Sequence, residues 1–175
     1  MEIIMLDRWL HIVAGVMWIG LLYYFNFVQV PAMAEATADS DGPGPAAIGK
    51  YVAPRALLWF RWAALVTWLT GAYYLYAAPG YSLHGAFTLG VGEVNAQLTS
   101  IGIGAWLGTI MLFNVWVLIW PAQKKILGMV EATDEEKASA KRIAFLASRS
   151  NTVMSIPMLL FMAATSHHLA LFHPG

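Results

Sequence analysis

The sequence contains, from residue 9 to residue 34, the stretch WLHIVAGVMWIGLLYYFNFVQVPAMA, in which no side chain is Asp, Glu, Lys or Arg. Further stretches without these charged residues lie at 62–92, 94–123 and 150–175. A helix needs about 20 apolar residues to cross a bilayer, so each stretch is long enough to do so. The pattern predicts four transmembrane helices in a lipid bilayer.

The composition of the whole chain agrees with this interpretation. Of its 175 residues, 59% are hydrophobic and 11% are charged, whereas a soluble domain is about 25% charged. The formal net charge is zero, which argues against a nucleic acid partner. The chain has no cysteine, and this excludes disulfides, Fe–S clusters and covalently attached haem c.

The charge-free stretches predict an all-α fold, an integral membrane four-helix bundle that forms a single domain over residues 1–175. The predicted spans share a high apolar content and lie at about 10–31, 56–78, 100–120 and 152–171. Pro31 and Pro121 are expected to end the first and third spans, because proline cannot donate a helical hydrogen bond. No convincing internal repeat is apparent in the sequence.

The distribution of Lys and Arg predicts the orientation of the spans. Basic residues are concentrated in the connections 32–55 and 121–151, and the opposite side carries only Arg8. Because basic loops stay on the cytoplasmic side, these two connections are predicted to be cytoplasmic, and the loop 79–99 and both termini face outward. The chain is therefore expected to be a multi-pass protein of the bacterial inner (cytoplasmic) membrane.

The predicted topology places every histidine on the outer side of the membrane. These histidines are His11, His84, His167, His168 and His173. Imidazoles gathered at one depth can serve as axial ligands of haem b, as ligands of another metal or as proton acceptors for a quinol. The alternative is that they are polar residues of the membrane interface.

A haem iron needs ligands from opposite faces, and the first and fourth helices can provide them. His11 paired with His167 or His168 is the predicted pair of iron ligands. The predicted cofactor site also includes His84, Trp18, whose ring can stack on a cofactor, and Gly15, which permits close approach. Trp18 and Gly15 are equally compatible with ordinary helix packing.

A second set of polar residues lies towards the cytoplasmic side. Asn26, Arg61 and Asn114 are each about five or six residues from the inner end of a predicted span, so they share a layer ~8–9 Å below the surface. Ionisable residues within a membrane are candidates for function. Asparagines that bond between helices, and an arginine that reaches the interface, are the structural alternative.

Three strings of the sequence resemble the membrane domain of the bacterial membrane-bound urate oxidase (urate hydroxylase) family. They are HIVAGVMWIGLLYYFN at 11–26, GAWLGTIMLFNVWVLIWPAQKK at 104–125 and ASRSNTVMSIPM at 147–158. More distantly, the opening with histidine, glycine and tryptophan is similar to the copper-resistance D-type domains and the membrane protoporphyrinogen oxidases.

The resemblance implies a redox function. Complete members of the urate oxidase family join a longer membrane portion to a C-terminal cytochrome c and oxidise urate to 5-hydroxyisourate. This chain has no Cys-x-x-Cys-His motif, so the resemblance implies a cytochrome c on a separate polypeptide.

Three hypotheses follow from the histidines and the resemblance. The leading one is a membrane redox subunit that binds haem b and relays electrons to or from a periplasmic cytochrome c or a respiratory assembly. The second is a urate-oxidising membrane enzyme that works with a separate cytochrome c, with catalytic residues that the sequence does not identify. The third is an accessory subunit without a cofactor. Four spans leave little room for both substrate and cofactor, so a larger complex or a homo-oligomer is expected.

Overall fold

The computed structural model describes residues 2–91 and 96–167. Within these residues the fold is all-helical and contains no strand, so the all-α prediction is confirmed. Its elements, in chain order, are α1 (Glu2–Tyr23), the π-helix π1 (Tyr24–Gln29), α2 (Val30–Ala38), the π-helix π2 (Ile48–Val52), α3 (Ala53–Ala77), α4 (Leu83–Phe87), α5 (Ala96–Phe113), the π-helix π3 (Asn114–Ile119), α6 (Trp120–Ile126) and α7 (Asp134–His167).

Three of the continuous helices are long and apolar enough to cross a membrane. They are Glu2–Ala38, Gln97–Ile126 and Asp134–Thr165. Their length and composition are consistent with a membrane protein. The predicted second span coincides with α3, whose 25 residues extend about 37 Å. Its arginines, tryptophans and tyrosines lower its mean hydropathy, and it is not among these three candidate helices.

The long helices pack side by side in sequence order. The helix α1 lies along α3 and α5 lies along α7, and smaller contacts join α3 to α5 and α7 to α1. The core between them contains Trp18, Leu22, Phe60, Met111 and Val115. Large apolar side chains also cover the outside of the helices, and Val16, Val153 and Ile156 are each about two-thirds exposed. Apolar surfaces of this kind are expected where helices face lipid.

The helices continue past the prolines that were expected to end them. Pro31 lies in α2 directly after π1, and Pro121 lies in α6 directly after π3. Before each proline, a backbone N–H bonds five residues back, from Val30 to Phe25 and from Trp120 to Val115. A π-helix shifts the hydrogen-bond register, and this accommodates the missing proline donor and its ring. The prediction that Pro31 and Pro121 end the helices was wrong.

The segments that contain π1 and π3 form an internal repeat. The pattern Trp-x-Gly-x-x-x-x-Phe-Asn occurs at residues 18–26 and again at 106–114. Each copy leads into a π-helix and then into a proline, so α1–π1–α2 corresponds to α5–π3–α6. The expectation of no internal repeat was therefore wrong. The repeat is hard to recognise in the sequence, because the two copies agree at none of the intervening positions and differ in their distance to the proline.

The asparagines of this repeat tie both halves to α7. The Nδ2 of Asn26 donates to Ser148 Oγ at 2.8 Å, and the Nδ2 of Asn114 donates to Asn151 Oδ1 at 2.8 Å. The Asn151 side chain is fully buried and donates to the Met111 carbonyl at 3.0 Å. Buried amides that bond between helices fix the helix register, because an unpaired amide is costly in an apolar surrounding.

Candidate functional site

A cavity of about 400 Å³ lies between α1, α3, α5 and α7, near the end where α1 begins. Its volume is within the range of small-molecule sites, which is about 300–1,000 Å³. Most of its wall is apolar or aromatic, and the polar side chains in the wall include Arg8, His11 and Thr67. The cavity is therefore suited to a mostly apolar ligand of small-molecule size.

His11 presents an available nitrogen at this cavity. Its Nδ1 lies 2.8 Å from the Thr67 carbonyl oxygen and 3.3 Å from the Thr70 hydroxyl. Because a carbonyl can only accept, Nδ1 carries the proton and Nε2 is left with a free lone pair. No described residue hydrogen-bonds to Nε2. An imidazole whose Nδ1–H is held by a carbonyl is the usual arrangement of a metal-ligating histidine.

Two small residues of α3 hold the His11 ring in place. A Cβ atom on Gly71 would lie 2.8 Å from His11 Cε1 and 3.1 Å from Nδ1. Thr67 lies one helical turn before Gly71 on α3, so the Thr67 carbonyl and Gly71 both contact the His11 imidazole. The position and the tautomer of His11 are thus set by α3, more than 50 residues away in sequence.

Trp18 contributes an unsatisfied donor to the cavity wall. Its side chain is only 2% exposed and it lines the cavity. Among the described residues, its buried indole Nε1 has no hydrogen-bond partner. A buried donor without an acceptor costs about 1–3 kcal/mol. The Trp18 ring thus forms part of the cavity wall, and its buried N–H has no acceptor among the described residues.

The cavity wall near Arg8 contains a pair of tyrosines. The rings of Tyr74 and Tyr81 lie 5.3 Å apart, and both residues line the cavity with Arg8. The Tyr81 hydroxyl accepts from Gln97 Nε2 at 2.7 Å. Burial raises the pKa of the Tyr81 phenol above its ordinary value. The phenol therefore stays protonated at neutral pH and can donate a hydrogen bond.

The short helix α4 forms part of the wall through Phe87. The Trp106 indole donates to the Phe87 carbonyl at 3.0 Å. Gly102 of α5 lies against α4, and a Cβ atom there would collide with the Ala86 carbonyl oxygen. The sequence allowed no prediction for this segment, because its helix has five residues and its position depends on contacts with α5.

The structure places the other predicted site residues as follows. His84 is exposed on α4 and does not line the cavity. A Cβ atom on Gly15 would meet the Thr67 methyl group at 3.7 Å, so Gly15 is at the α1–α3 contact. His167 is the last residue of α7, and His168 and His173 lie outside the described residues. Pairing of His11 with a histidine of the fourth span remains a prediction.

The predicted polar layer does not form one cluster. Asn26 and Asn114 bond to α7, whereas the Arg61 guanidinium lies 3.7 Å from the centre of the Trp120 ring. The Arg61 backbone carbonyl accepts from the Trp116 indole at 3.2 Å. The two asparagines thus join helices, and the guanidinium of Arg61 stacks on an aromatic ring.

Sequence reasoning missed the residues of α3 that hold His11. Thr67 and Gly71 are four positions apart and therefore share one face of a helix. This spacing of small residues indicates that another helix packs closely on that face of α3. It does not indicate which helix that is. In the described part of the chain, no group of three or more His, Asp or Glu side chains could hold a bare metal ion.

Comparison with known families supports the resemblance. Residues 93–174 match the family model described as urate oxidase N-terminal. This segment is similar to the urate oxidase N-terminal family. The match covers a little under half of the chain and includes α5, π3, α6 and α7, while His11 and α3 lie outside it.

The match agrees with the resemblance found in the sequence, over the segment 93–174. It lends no support to the more distant resemblance to copper-resistance D-type domains and membrane protoporphyrinogen oxidases, which stays a prediction. No curated protein and no solved structure gives a significant match to the chain.

Proposed function

We propose that this chain is the membrane redox unit of a urate-oxidising system, and that its cavity binds haem b through His11. The observation that carries the proposal is the fixed imidazole, whose Nδ1–H bonds to the Thr67 carbonyl while Nε2 remains without a described partner. The urate oxidase N-terminal match of residues 93–174 supports the biochemical setting.

The residues around His11 fit haem in three respects. Haem brings its own four equatorial nitrogens, so the protein needs to supply only axial ligands, and a single fixed imidazole is sufficient on one side. The apolar and aromatic wall suits a macrocycle. The Thr67 carbonyl raises the basicity of the His11 ligand. Bound haem b would supply a one-electron redox centre at this position.

The fourth helix is the proposed source of the second ligand. Thr165 of α7 lines the cavity, and His167 follows two positions later, with His168 next in the chain. Either histidine would complete the pair predicted from the sequence. Two axial imidazoles would make the haem iron six-coordinate and low-spin, which its absorption spectrum reports.

We also propose how the chain lies in the membrane. In this arrangement α3 is the second span of a four-helix bundle in the cytoplasmic membrane, and both termini face outward. The basic connections between spans one and two and between spans three and four support it. The cavity then lies on the outer side, where a periplasmic cytochrome c or a larger respiratory complex could exchange electrons with it.

The proposal is tested on the full chain, expressed with haem supplementation and purified in detergent. We expect a Soret band, a pyridine haemochrome spectrum of haem b and six-coordinate low-spin bands. The dithionite-reduced protein is expected to be reoxidised by ferric cytochrome c. A colourless preparation under these conditions would overturn the proposal.

Urate binding in the cavity is a second candidate function, favoured by two observations. The Trp18 indole lines the cavity and has no acceptor among the described residues, so a rotation of its ring would let it donate to a carbonyl oxygen. Arg8 provides a positive charge in the same wall. Urate is a flat anion with several carbonyl groups. Its conversion to 5-hydroxyisourate consumes one water and releases two protons and two electrons, which two ferric cytochrome c molecules would accept.

Membranes that contain the chain distinguish the second candidate from the first. If urate is the substrate, its absorbance should fall only when both the chain and ferric cytochrome c are present, and two cytochromes should be reduced per urate. Trp18→Phe removes the donor and should slow this reaction at least about tenfold, the effect of one buried hydrogen bond. No urate loss in membranes with haem-loaded protein would exclude direct turnover.

A further inference from the structure

We infer that Arg8 and Tyr81 form a carboxylate-binding site at one end of the cavity, which holds the acidic side chains of the bound cofactor. The inference rests on the proposed function and deepens it, because it assigns an orientation and two specificity-determining residues. Haem b carries both of its carboxylates on one edge, and the remainder of the macrocycle is apolar. A cavity that binds it therefore needs one anion-binding end.

The first observation is the position of Arg8 relative to His11. The two residues are three positions apart on α1, which places them on neighbouring parts of one helix face, about 4.5 Å apart along the axis. Both line the cavity. A guanidinium is suited to carboxylates because its fork of donors matches the two oxygens.

The second observation concerns the charge of the cavity wall. Among the described lining residues, Arg8 is the one Lys, Arg, Asp or Glu side chain. Its acidic neighbour Asp7 does not line the cavity. Met158 and Trp18 also line the cavity, and neither carries a charge. The described part of the wall thus combines one cationic side chain with apolar and neutral ones.

The third observation is the hydrogen-bonding state of Tyr81. Its hydroxyl oxygen already accepts from Gln97, and its own proton has no acceptor among the described residues. Arg8 lies close enough to Tyr81 to influence the phenol electrostatically. A carboxylate between Arg8 and Tyr81 would receive one charged and one neutral hydrogen bond.

The test compares haem with its dimethyl ester, which keeps the macrocycle and the iron but has no carboxylate. Both are titrated into detergent-solubilised protein freed of haem, and binding is followed by the Soret band. We expect the wild-type chain to bind the diacid at least about tenfold more tightly, since charge-assisted hydrogen bonds are the strong ones. Arg8→Gln should remove most of this preference, and Tyr81→Phe a smaller part.

Matched substitutions control for changes elsewhere. Arg55→Gln and Tyr76→Phe alter exposed residues that do not line the cavity, so they should keep the wild-type preference. Arg8→Lys retains the charge and should keep part of it, which guards against a folding defect in Arg8→Gln.

The outcomes separate the two proposals. If the wild-type chain binds neither compound, the haem proposal and the carboxylate site both fail. If it binds both compounds equally, or if Arg8→Gln keeps the preference for the diacid, the carboxylate site is wrong while haem binding through His11 stands.

Discussion

Replacement of His11 by alanine is expected to abolish the Soret band of the purified protein. The substitution removes the one imidazole that lies in the described cavity wall and the hydrogen bond that this imidazole donates to the Thr67 carbonyl. The loss should exceed about 100-fold in haem affinity, because an axial ligand and its hydrogen bond disappear together. Titration of haem into the purified variant measures it.

The control for His11→Ala is His84→Ala. His84 is exposed on α4 and does not line the cavity, so its removal should leave the spectrum unchanged. Added imidazole should restore part of the Soret band in His11→Ala, because the substitution leaves a space of the same shape. A His11→Ala variant with the wild-type spectrum would show that the cavity does not bind haem through this residue.

Replacement of Gly71 by alanine should reduce haem affinity at least about tenfold while the protein remains folded. The new methyl group would stand 2.8 Å from His11 Cε1, so the imidazole must move and its bond to Thr67 is strained or lost. Alanine is a better helix former than glycine by about 1 kcal/mol. The melting temperature of the haem-free protein should therefore stay near the wild-type value.

Gly20→Ala is the matched control for this change. A Cβ atom on Gly20 has nothing within 4 Å, and the substitution gives the same increase in helix propensity. It should therefore leave haem binding intact. If Gly71→Ala binds haem as the wild type does, the imidazole position in the structure is not the one that binds the ligand.

Some features of the sequence predicted the fold well and others did not. Charge-free stretches predicted long apolar helices, and three candidate membrane-spanning helices are present. The second stretch predicted α3, which is helical, but its tryptophans and tyrosines make its hydropathy a weak signal. Prolines were misleading, because π1 and π3 shift the hydrogen bonds and let the helices continue past Pro31 and Pro121.

Part of the candidate site could also be predicted from the sequence. His11 and Trp18 could be selected by residue type and position, since seven residues bring the chain back to the same helix face. The residues that contact His11 and Trp18 could not be identified from the sequence. Whether Thr67 and Gly71 face His11 depends on the rotation of α3 about its axis, and a change of one residue in register would turn both away.

The sequence by itself determined that the chain is helical and apolar, because the absence of charge over long stretches leaves few other ways to satisfy the backbone. It also singled out His11. Only the tertiary structure decided that Thr67 fixes the tautomer of His11, that Gly71 leaves space for its ring, and that the buried Trp18 indole has no acceptor among the described residues. The reason is physical: hydropathy is a property of single residues summed along the chain, whereas a site requires particular atoms from distant helices to meet within a few ångströms.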